Sequence, residues 1–218
     1  MRSHVLVAGL GGVGAYAAES LARAGIGKFT LIDGDVIEET NINRQLLALH
    51  STLGRPKAEV MAERIRDINP DARIEIIDRF SAPDDWEEIL KAAPDYVVDA
   101  IDTLSPKIYL IVATLQKNIP LISVMGSGGK TDPASVKIAD ISRTYNDYLA
   151  RMVRKRLKKH GIRSGFKTVF SAQLPDKNAL VLSKNTEYKK SAYGTISYMP
   201  ALFGLFAAAE VIKDLTEK

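Results

Sequence analysis

The sequence contains no cysteine. Without a thiol, the chain can form no disulfide, no cysteine-ligated zinc site and no thiolate nucleophile. This absence fits the reducing cytoplasm, where we expect the protein to reside. It also excludes every enzyme mechanism in which the chain itself carries a thioester or a persulfide.

Long apolar runs and targeting signals are missing as well. The longest apolar stretch, residues 199–212, contains Pro200 and Glu210 and is too short to cross a bilayer, so we expect no membrane span. Residues 1–4 lead directly into an apolar strand, without the features of a signal peptide. The three histidines show no metal-ligand spacing. The net charge is only +4, so the distribution of charge is more informative than its total.

Apolar strand patterns alternate with helical patterns through the first two thirds of the chain. This order predicts an α/β fold: a doubly wound, Rossmann-like, mainly parallel sheet with helices on both faces. We expect one domain over residues 1–218, with a nucleotide-binding core (1–124) and a substrate-side and dimer-interface part (125–218). The predicted strands are 5–8, 29–32, 73–77, 96–98 and 120–124, and the predicted helices are 13–24, 56–68, 84–92, 105–117 and 147–159.

A glycine-rich turn follows the first predicted strand. It carries Gly9, Gly11, Gly12 and Gly14, which allow the backbone to approach a phosphate at the start of a helix. Asp33 closes the second strand, where an acidic residue can bind a ribose hydroxyl. A purely structural turn is the alternative. The pair of motifs indicates a bound nucleotide, without distinguishing a dinucleotide from ATP.

The segment after Asp33 favours ATP. Asp35 leads into a polar loop with Asn41, Arg44 and Gln45, where a dehydrogenase would continue into a crossover helix. Arg44 can fork onto phosphate oxygens, and Asn41 can hold ribose or phosphate. The alternative is a short helix capped by Thr40 or Asn41, with Arg44 on a solvated face.

Two further charged residues fit polyphosphate chemistry. Lys57, at the start of a predicted helix, can neutralise phosphate charge, although an ordinary surface lysine is the simpler interpretation. Asp102 follows Asp99 at the end of the fourth strand, where open α/β sheets bind ligands. Asp102 could hold Mg²⁺ through water, since this ion takes one or two carboxylates and keeps much of its hydration. Its alternative role is the N-cap of the helix that begins near Ser105.

Taken together, these motifs resemble the adenylation core of the ubiquitin-activating superfamily. The matching positions are Gly9, Gly11, Gly12, Gly14, Asp33, Asp35, Asn41, Arg44, Gln45, Lys57 and Asp102. The resemblance implies that Gly12 lines the ATP phosphates and that Asp33 binds the ribose. It also implies that Arg44 and Lys57 stabilise charge during adenylyl transfer, with Asp102 on the magnesium.

Five further segments look like the tRNA threonylcarbamoyladenosine dehydratases: residues 57–65, 68–70, 95–102, 126–133 and 139–144. These enzymes use ATP to dehydrate the threonylcarbamoyl group on the adenosine next to the anticodon, giving a cyclic form. The resemblance implies ATP, Mg²⁺ and a monovalent cation (Na⁺ or K⁺) as cofactors. It implies the tRNA anticodon stem-loop as the substrate partner and a homodimer as the assembly. A sulfur-transfer protein is a further candidate partner.

Other functions remain open on the residues alone. An activator of a ubiquitin-like sulfur-carrier protein shares every ATP residue, but the missing cysteines count against it. A nucleotide-binding protein without turnover is a third reading, and a nicotinamide dehydrogenase a distant fourth. In the relatives, an arginine from a segment before the first strand can reach an ATP phosphate in the partner subunit, and we expect that contribution to be absent or replaced here. Residues 179–198 look shorter than in those enzymes.

A basic segment, residues 151–167, completes the set of candidates. No acidic residue lies between Asp147 and Asp176, so much of the positive excess is concentrated there. A charge run of this kind is usually a solvated face. Beside the expected substrate side, we interpret it as a tRNA-binding surface that includes Arg151, Arg154, Lys155, Lys158 and Lys159.

Overall fold

The computed structural model describes residues 2–176, 180–181 and 192–217. A seven-stranded sheet with the strand order β3-β2-β1-β4-β5-β7-β6 forms its centre, and only β6 runs antiparallel to its neighbour. The sheet strands are β1 (His4–Ala8), β2 (Lys28–Ile32), β3 (Arg73–Ile77), β4 (Tyr96–Asp99), β5 (Leu121–Val124), β6 (Val136–Asp140) and β7 (Lys167–Ser171). The predicted doubly wound α/β fold is confirmed.

Helices cover both faces of this sheet. They are α1 (Gly14–Arg23), α2 (Lys57–Ile68), α3 (Asp85–Ile89), α4 (Leu104–Gln116), α5 (Tyr148–Leu157) and α6 (Tyr198–Thr216). Two short strands, β8 (Leu180–Val181) and β9 (Ala192–Tyr193), pair separately. None of the helices in the described ranges is long and apolar enough to cross a membrane.

The strand β1 is apolar without alternation because both of its faces are covered. Val5 and Val7 pack into a core with α1, α2 and α6, whereas Leu6 and Ala8 pack into a second core with α3, α4 and α5. All five residues of the strand are buried. A continuous apolar run is what a central parallel strand requires, and this is why the sequence pattern identified it correctly.

The site lies where the winding of the sheet changes direction. From β1 the chain passes to β2 on one side, and β4 later pairs with the other side of β1. In open α/β sheets, ligands bind beyond the carboxyl ends of the strands at such a switch point. The loops after β1, β2 and β4 therefore meet at one edge, which we call the carboxyl edge.

The last third of the sheet was predicted only as a series of shorter strands. β7 pairs in parallel with β5, and β6 closes the sheet edge antiparallel to β7. The prediction of a shortened segment at residues 179–198 falls largely on residue 179 and residues 182–191, which lie outside the described residues.

Candidate active site

The glycine turn is a tight loop in which neighbouring backbone atoms fill the space that side chains would need. Gly9 has φ +86°, and a methyl group there would lie 2.8 Å from the carbonyl oxygen of Ala100. At Gly14 a methyl group would lie 1.7 Å from the carbonyl oxygen of Gly9. The loop after β1, the start of α1 and the loop after β4 are thus packed at distances that exclude any side chain at these two positions.

The N-terminus of α1 points its first amides toward this loop. Val13 occupies the N-cap position, and its apolar side chain supplies no hydrogen bond to the first turn. Amides at a helix start carry partial positive charge and bind phosphate when no side chain caps them. The first turn of α1 is therefore suited to an anionic ligand, as the sequence predicts.

Asp33 ties the loops after β1 and β2 together. Its carboxylate accepts hydrogen bonds from the backbone amides of Leu10 (2.6 Å) and Asp35 (2.8 Å). Burial raises the pKa of this carboxyl, and the two amide hydrogen bonds oppose that rise. The residue lies at the end of β2, in the place from which the ribose role was predicted.

Lys57 is not the surface lysine of the simpler interpretation. Only 5% of the residue is exposed, and its ammonium lies 2.9 Å from the carboxylate of Asp35, which remains about half exposed. The backbone amide of Lys57 also donates to the carbonyl of Asp35, at 3.0 Å. The start of α2 is therefore fastened to the loop after β2, with its ammonium at the carboxyl edge.

The polar loop after Asp35 folds into a short 3-10 helix, Glu39–Asn41, whose N-cap is Glu38, so Thr40 and Asn41 lie within the helix and do not cap it as the alternative interpretation proposed. Asn41 is buried, and its side-chain oxygen accepts the amide of Glu38 (3.2 Å). The guanidinium of Arg44 donates to the carbonyl of Thr40 (2.8 Å). Asn41 thus bonds back to the N-cap residue Glu38 from the third helical position, and Arg44 is bound to its own loop rather than extended into solvent.

Gln45 and Gly12 connect this loop to the glycine turn. A methyl group at Gly11 would lie 3.6 Å from the side-chain nitrogen of Gln45, so the amide of Gln45 packs over the turn. Its buried oxygen has no hydrogen-bond partner within the described part of the chain. Gly12 lies between the carbonyl of Arg44 and Pro200 of α6. The structure therefore brings the glycine turn and the polar loop together.

Asp102 is exposed in the loop between β4 and α4. It is not the N-cap of α4, because that position is occupied by Thr103. Within the described residues, no group of three acidic or histidine side chains forms a metal cage. Magnesium bound mainly by phosphates and water needs only one or two carboxylates, so the exposed Asp102 carboxylate fits such an ion.

Beneath this loop lies an ion pair that the sequence reading missed. Asp99 and Lys107 are both fully buried, and the ammonium of Lys107 lies 2.8 Å from the carboxylate. Lys107 also donates to the carbonyl of Ile101 (2.9 Å), and Ser123 donates to Asp99 (2.6 Å). A signal existed, because Lys107 falls on the buried stripe of α4 with Leu110, Ile111 and Thr114.

A second buried ion pair lies farther along the carboxyl edge. The ammonium of Lys130 is 2.6 Å from the carboxylate of Asp147, and both side chains are almost fully buried. Lys130 also donates to the carbonyl of Ser171, at the end of β7 (3.3 Å). The loop 126–130 and the N-terminus of α5 are thus joined, and no local sequence signal pointed to this pair.

The residues of the predicted basic surface differ in exposure and in their contacts. Arg151, Lys155, Lys158 and Lys159 are exposed, whereas Arg154 is half-buried and its guanidinium contacts the hydroxyl of Thr144. Including residue 167 in the segment was wrong. Lys167 faces the amino end of the sheet, where it pairs with Glu210 (2.6 Å) and Asp214 (2.7 Å) of α6.

The helix α5 also runs away from the carboxyl edge. Its N-cap, Asp147, lies beside Lys130, and after the helix the chain returns to the start of β7 at the opposite edge. Ten helical residues span about 15 Å. Arg151 therefore lies near the candidate site, whereas Lys158 and Lys159 lie toward the far edge.

Fold and site together define a class of protein: an α/β nucleotide-binding protein whose glycine turn, cationic side chains and exposed carboxylate face one edge of the sheet. The whole chain, residues 1–218, matches the family model described as the ThiF family. The chain belongs to the ThiF family.

Individual relatives are similar over nearly the whole length. The tRNA threonylcarbamoyladenosine dehydratase of Bacillus subtilis is 41% identical over 98% of this chain and 87% of the relative. The Escherichia coli protein of that name is 39% identical over 99% of this chain and 87% of its own length. A crystal structure of the E. coli enzyme in complex with ATP superposes with a TM-score of 0.88 at 38% identity, covering 99% of this chain and 86% of the solved one.

Proposed function

We propose that this protein is an ATP-dependent dehydratase of tRNA. It converts N6-threonylcarbamoyladenosine next to the anticodon to its cyclic form by adenylating the carboxylate. The observation that carries this proposal is the similarity, over nearly the whole chain, to two bacterial enzymes of that name, in a chain that has the glycine turn, Lys57 and Asp102. A tRNA substrate also implies a cytoplasmic enzyme.

The reaction needs no nucleophile from the protein. The substrate carboxylate attacks the α-phosphorus of ATP and releases pyrophosphate, which gives an acyl adenylate. A nitrogen or oxygen of the same modified nucleoside then attacks the acyl carbon. AMP leaves with one carboxylate oxygen, and the attacking group loses a proton, so the nucleoside has lost one water. The protein contributes proximity and charge stabilisation.

The residues at the carboxyl edge have different roles in this reaction. Gly9, Gly11, Gly12 and Gly14, with the first amides of α1, line the phosphates, and Asp33 binds the ribose. Asn41 and Gln45 hold the loop against the glycine turn, and Asp35 holds the ammonium of Lys57. Arg44 and Lys57 stabilise the charge that develops on the phosphates. Residues 1–124 form the nucleotide-binding core, and residues 125–218 supply the substrate side.

Magnesium, a monovalent cation and partner chains belong to the same proposal. Asp102 would hold Mg²⁺, which supplies charge neutralisation on the phosphates when it is bound. The resemblance to the tRNA threonylcarbamoyladenosine dehydratases implies a second bound ion, Na⁺ or K⁺. The assembly is a homodimer that uses the 125–218 part, and a sulfur-transfer protein is a further partner. Activation of a sulfur-carrier protein is less favoured, because the chain has no cysteine that could form a thioester or a persulfide.

The direct test incubates the protein with ATP and tRNA that carries the linear modification. We expect AMP release and, in the digested nucleosides, a mass lower by one water. tRNA with unmodified adenosine at that position is the matched control, and it should release no AMP above background. AMP release that depends instead on an added sulfur-carrier protein, with the tRNA nucleoside unchanged, would contradict the proposal.

The basic surface on α5 gives a second prediction, in salt dependence. Contacts between lysines and phosphates release counterions, so log K for tRNA should fall by roughly 0.7 to 0.9 per phosphate neutralised for each tenfold rise in salt. The triple change Lys155→Glu, Lys158→Glu and Lys159→Glu should weaken tRNA binding and flatten this slope, with ATP affinity unchanged. Arg154 is left intact because it contacts Thr144. Filter binding across a salt series measures both quantities.

A matched variant keeps the same charge change but moves it away from α5. Arg66, Arg73 and Lys117 are exposed and lie on α2, on β3 and just after α4. Their replacement by glutamate should leave the salt slope close to that of the parent. Equal slopes for the parent and the α5 variant would show that the basic helix is only a solvated face.

A further inference from the structure

Two exposed tyrosines flank the turn that leads into α5. Tyr145 is 45% exposed and Tyr148, the first residue of α5, is 63% exposed, whereas Asp147 between them is buried. Neither tyrosine has a role in the nucleotide site described above. We call Tyr145, Tyr148 and the two residues between them the tyrosine turn.

The tyrosine turn is held rigidly to the carboxyl edge. Asp147 is bound by Lys130 (2.6 Å) and caps α5 by accepting the amide of Ala150 (2.9 Å). The side-chain amide of Asn146 donates to the carbonyl of Ala172, beyond the end of β7 (2.8 Å). The turn is therefore held by three hydrogen-bonded contacts, so ligand binding there would require little further ordering of the polypeptide.

Both tyrosine residues stay exposed although cations lie beside their rings. The ammonium of Lys137 is 2.8 Å from the hydroxyl of Tyr145 and 5.5 Å from its ring centroid. These two distances place the ammonium beyond the hydroxyl rather than over the ring. Buried Phe170 meets Tyr145 in an edge-to-face contact, with centroids 5.5 Å apart.

On the other ring, the guanidinium of Arg151 lies 5.1 Å from the centroid of Tyr148. The two residues are one helical turn apart, so the arginine covers one face of the ring, and Arg151 is itself exposed. Each tyrosine thus combines an exposed π surface with an adjacent positive charge. Unpaired nucleotides offer the complementary chemistry, since a base stacks on the ring and its phosphate pairs with the cation.

We infer that the tyrosine turn, with Lys137 and Arg151, is a stacking surface for unpaired nucleotides of an RNA loop. The inference rests on the proposed function, in which the reacting adenosine lies in the anticodon loop. A base that must enter a pocket leaves its neighbours unstacked, and stacking on protein aromatics compensates for that loss. Lys130 links the tyrosine turn directly to the loop 126–130 at the carboxyl edge, so unpaired nucleotides held here lie beside the candidate site.

The test measures binding of an unmodified anticodon stem-loop RNA, without ATP, to the full chain. The double change Tyr145→Leu and Tyr148→Leu removes both rings but keeps apolar bulk. We expect the Kd to rise about 5- to 100-fold for each base that loses its stacking partner. Binding of a fully paired RNA duplex should change less than twofold, because phosphate contacts remain.

The matched variant, Tyr145→Phe with Tyr148→Phe, keeps both rings and loses only the hydroxyls. It should bind the stem-loop within about twofold of the parent. The inference is overturned if the leucine variant binds the stem-loop like the parent, or if it loses stem-loop and duplex binding equally. It is also overturned if sedimentation shows that the leucine variant has changed its oligomeric state, since the tyrosines would then form a subunit contact.

The outcome is separable from that of the proposed function. Stem-loop affinity needs neither ATP nor the modification, whereas dehydration needs both. A parent protein that fails to remove water from modified tRNA, while the leucine variant loses stem-loop affinity, would overturn the dehydratase and support the stacking surface. Normal dehydration by the parent together with unchanged stem-loop affinity in the leucine variant would support the dehydratase and overturn the stacking surface.

Discussion

The Asp102→Ala variant is expected to lose at least about 100-fold of its AMP release, with the fold intact. A carboxylate that holds a catalytic metal ion stabilises the transition state by several kcal/mol, and each 1.36 kcal/mol is about tenfold in rate. Asp102 is exposed in the loop after β4, so its removal opens no core cavity. AMP release under saturating ATP and modified tRNA is the measurement.

Two controls separate this effect from a general loss. Asp67→Ala removes an exposed carboxylate from α2, away from the carboxyl edge, and should leave AMP release unchanged. Urea denaturation should give the same midpoint for the parent and for Asp102→Ala. Comparable AMP release from Asp102→Ala and the parent would rule out the assignment of Asp102 to the magnesium.

Lys107→Met should lower the free energy of unfolding by about 3–5 kcal/mol, the usual cost of removing one partner from a buried ion pair. The change leaves the carboxylate of Asp99 in a fully buried position without its cation. The hydrogen bond to the carbonyl of Ile101 is lost as well. Urea denaturation monitored by circular dichroism measures the loss.

The double variant Asp99→Asn with Lys107→Met tests whether charge is the cause. Ser123 and the amide of Ile101 now donate to different oxygens of the carboxylate. The one oxygen of asparagine can still accept from the amide of Ile101, and its NH2 group can donate to the hydroxyl oxygen of Ser123. With no unpaired charge left, we expect the double variant to be more stable than Lys107→Met alone. Equal stabilities of the two variants would mean that packing, rather than the buried charge, determines the cost.

This pair also bears on the active site. Ile101 is held through both its amide and its carbonyl, and Asp102 is the next residue. We therefore regard Asp99 and Lys107 as positioning residues for the loop that carries Asp102. If the double variant folds well but releases AMP more slowly than the parent, the positioning role is supported over a purely structural one.

Local patterns predicted much of this fold because they depend on a few neighbouring residues. The buried strands β1 and β4 are continuous apolar runs, and the helix α4 was predicted within one residue at each end. The antiparallel pairing of β6 with β7 was not predicted, since the sequence of a short strand does not indicate which strand it pairs with. The basic segment shows the same limit, because a run of charge does not reveal that Lys167 turns away toward α6.

By itself, the sequence determined the glycine turn, the acid at the end of β2 and the order of the elements, all of which follow from backbone geometry and burial over short spans. Only the tertiary structure decided which lysine and aspartate side chains form ion pairs. Lys57 reaches Asp35 across 22 residues, and Lys130 reaches Asp147 across 17. Periodicity along α4 shows that Lys107 faces inward, but the partners of Lys57 and Lys130 depend on how loops from different strands come together at the carboxyl edge of the sheet.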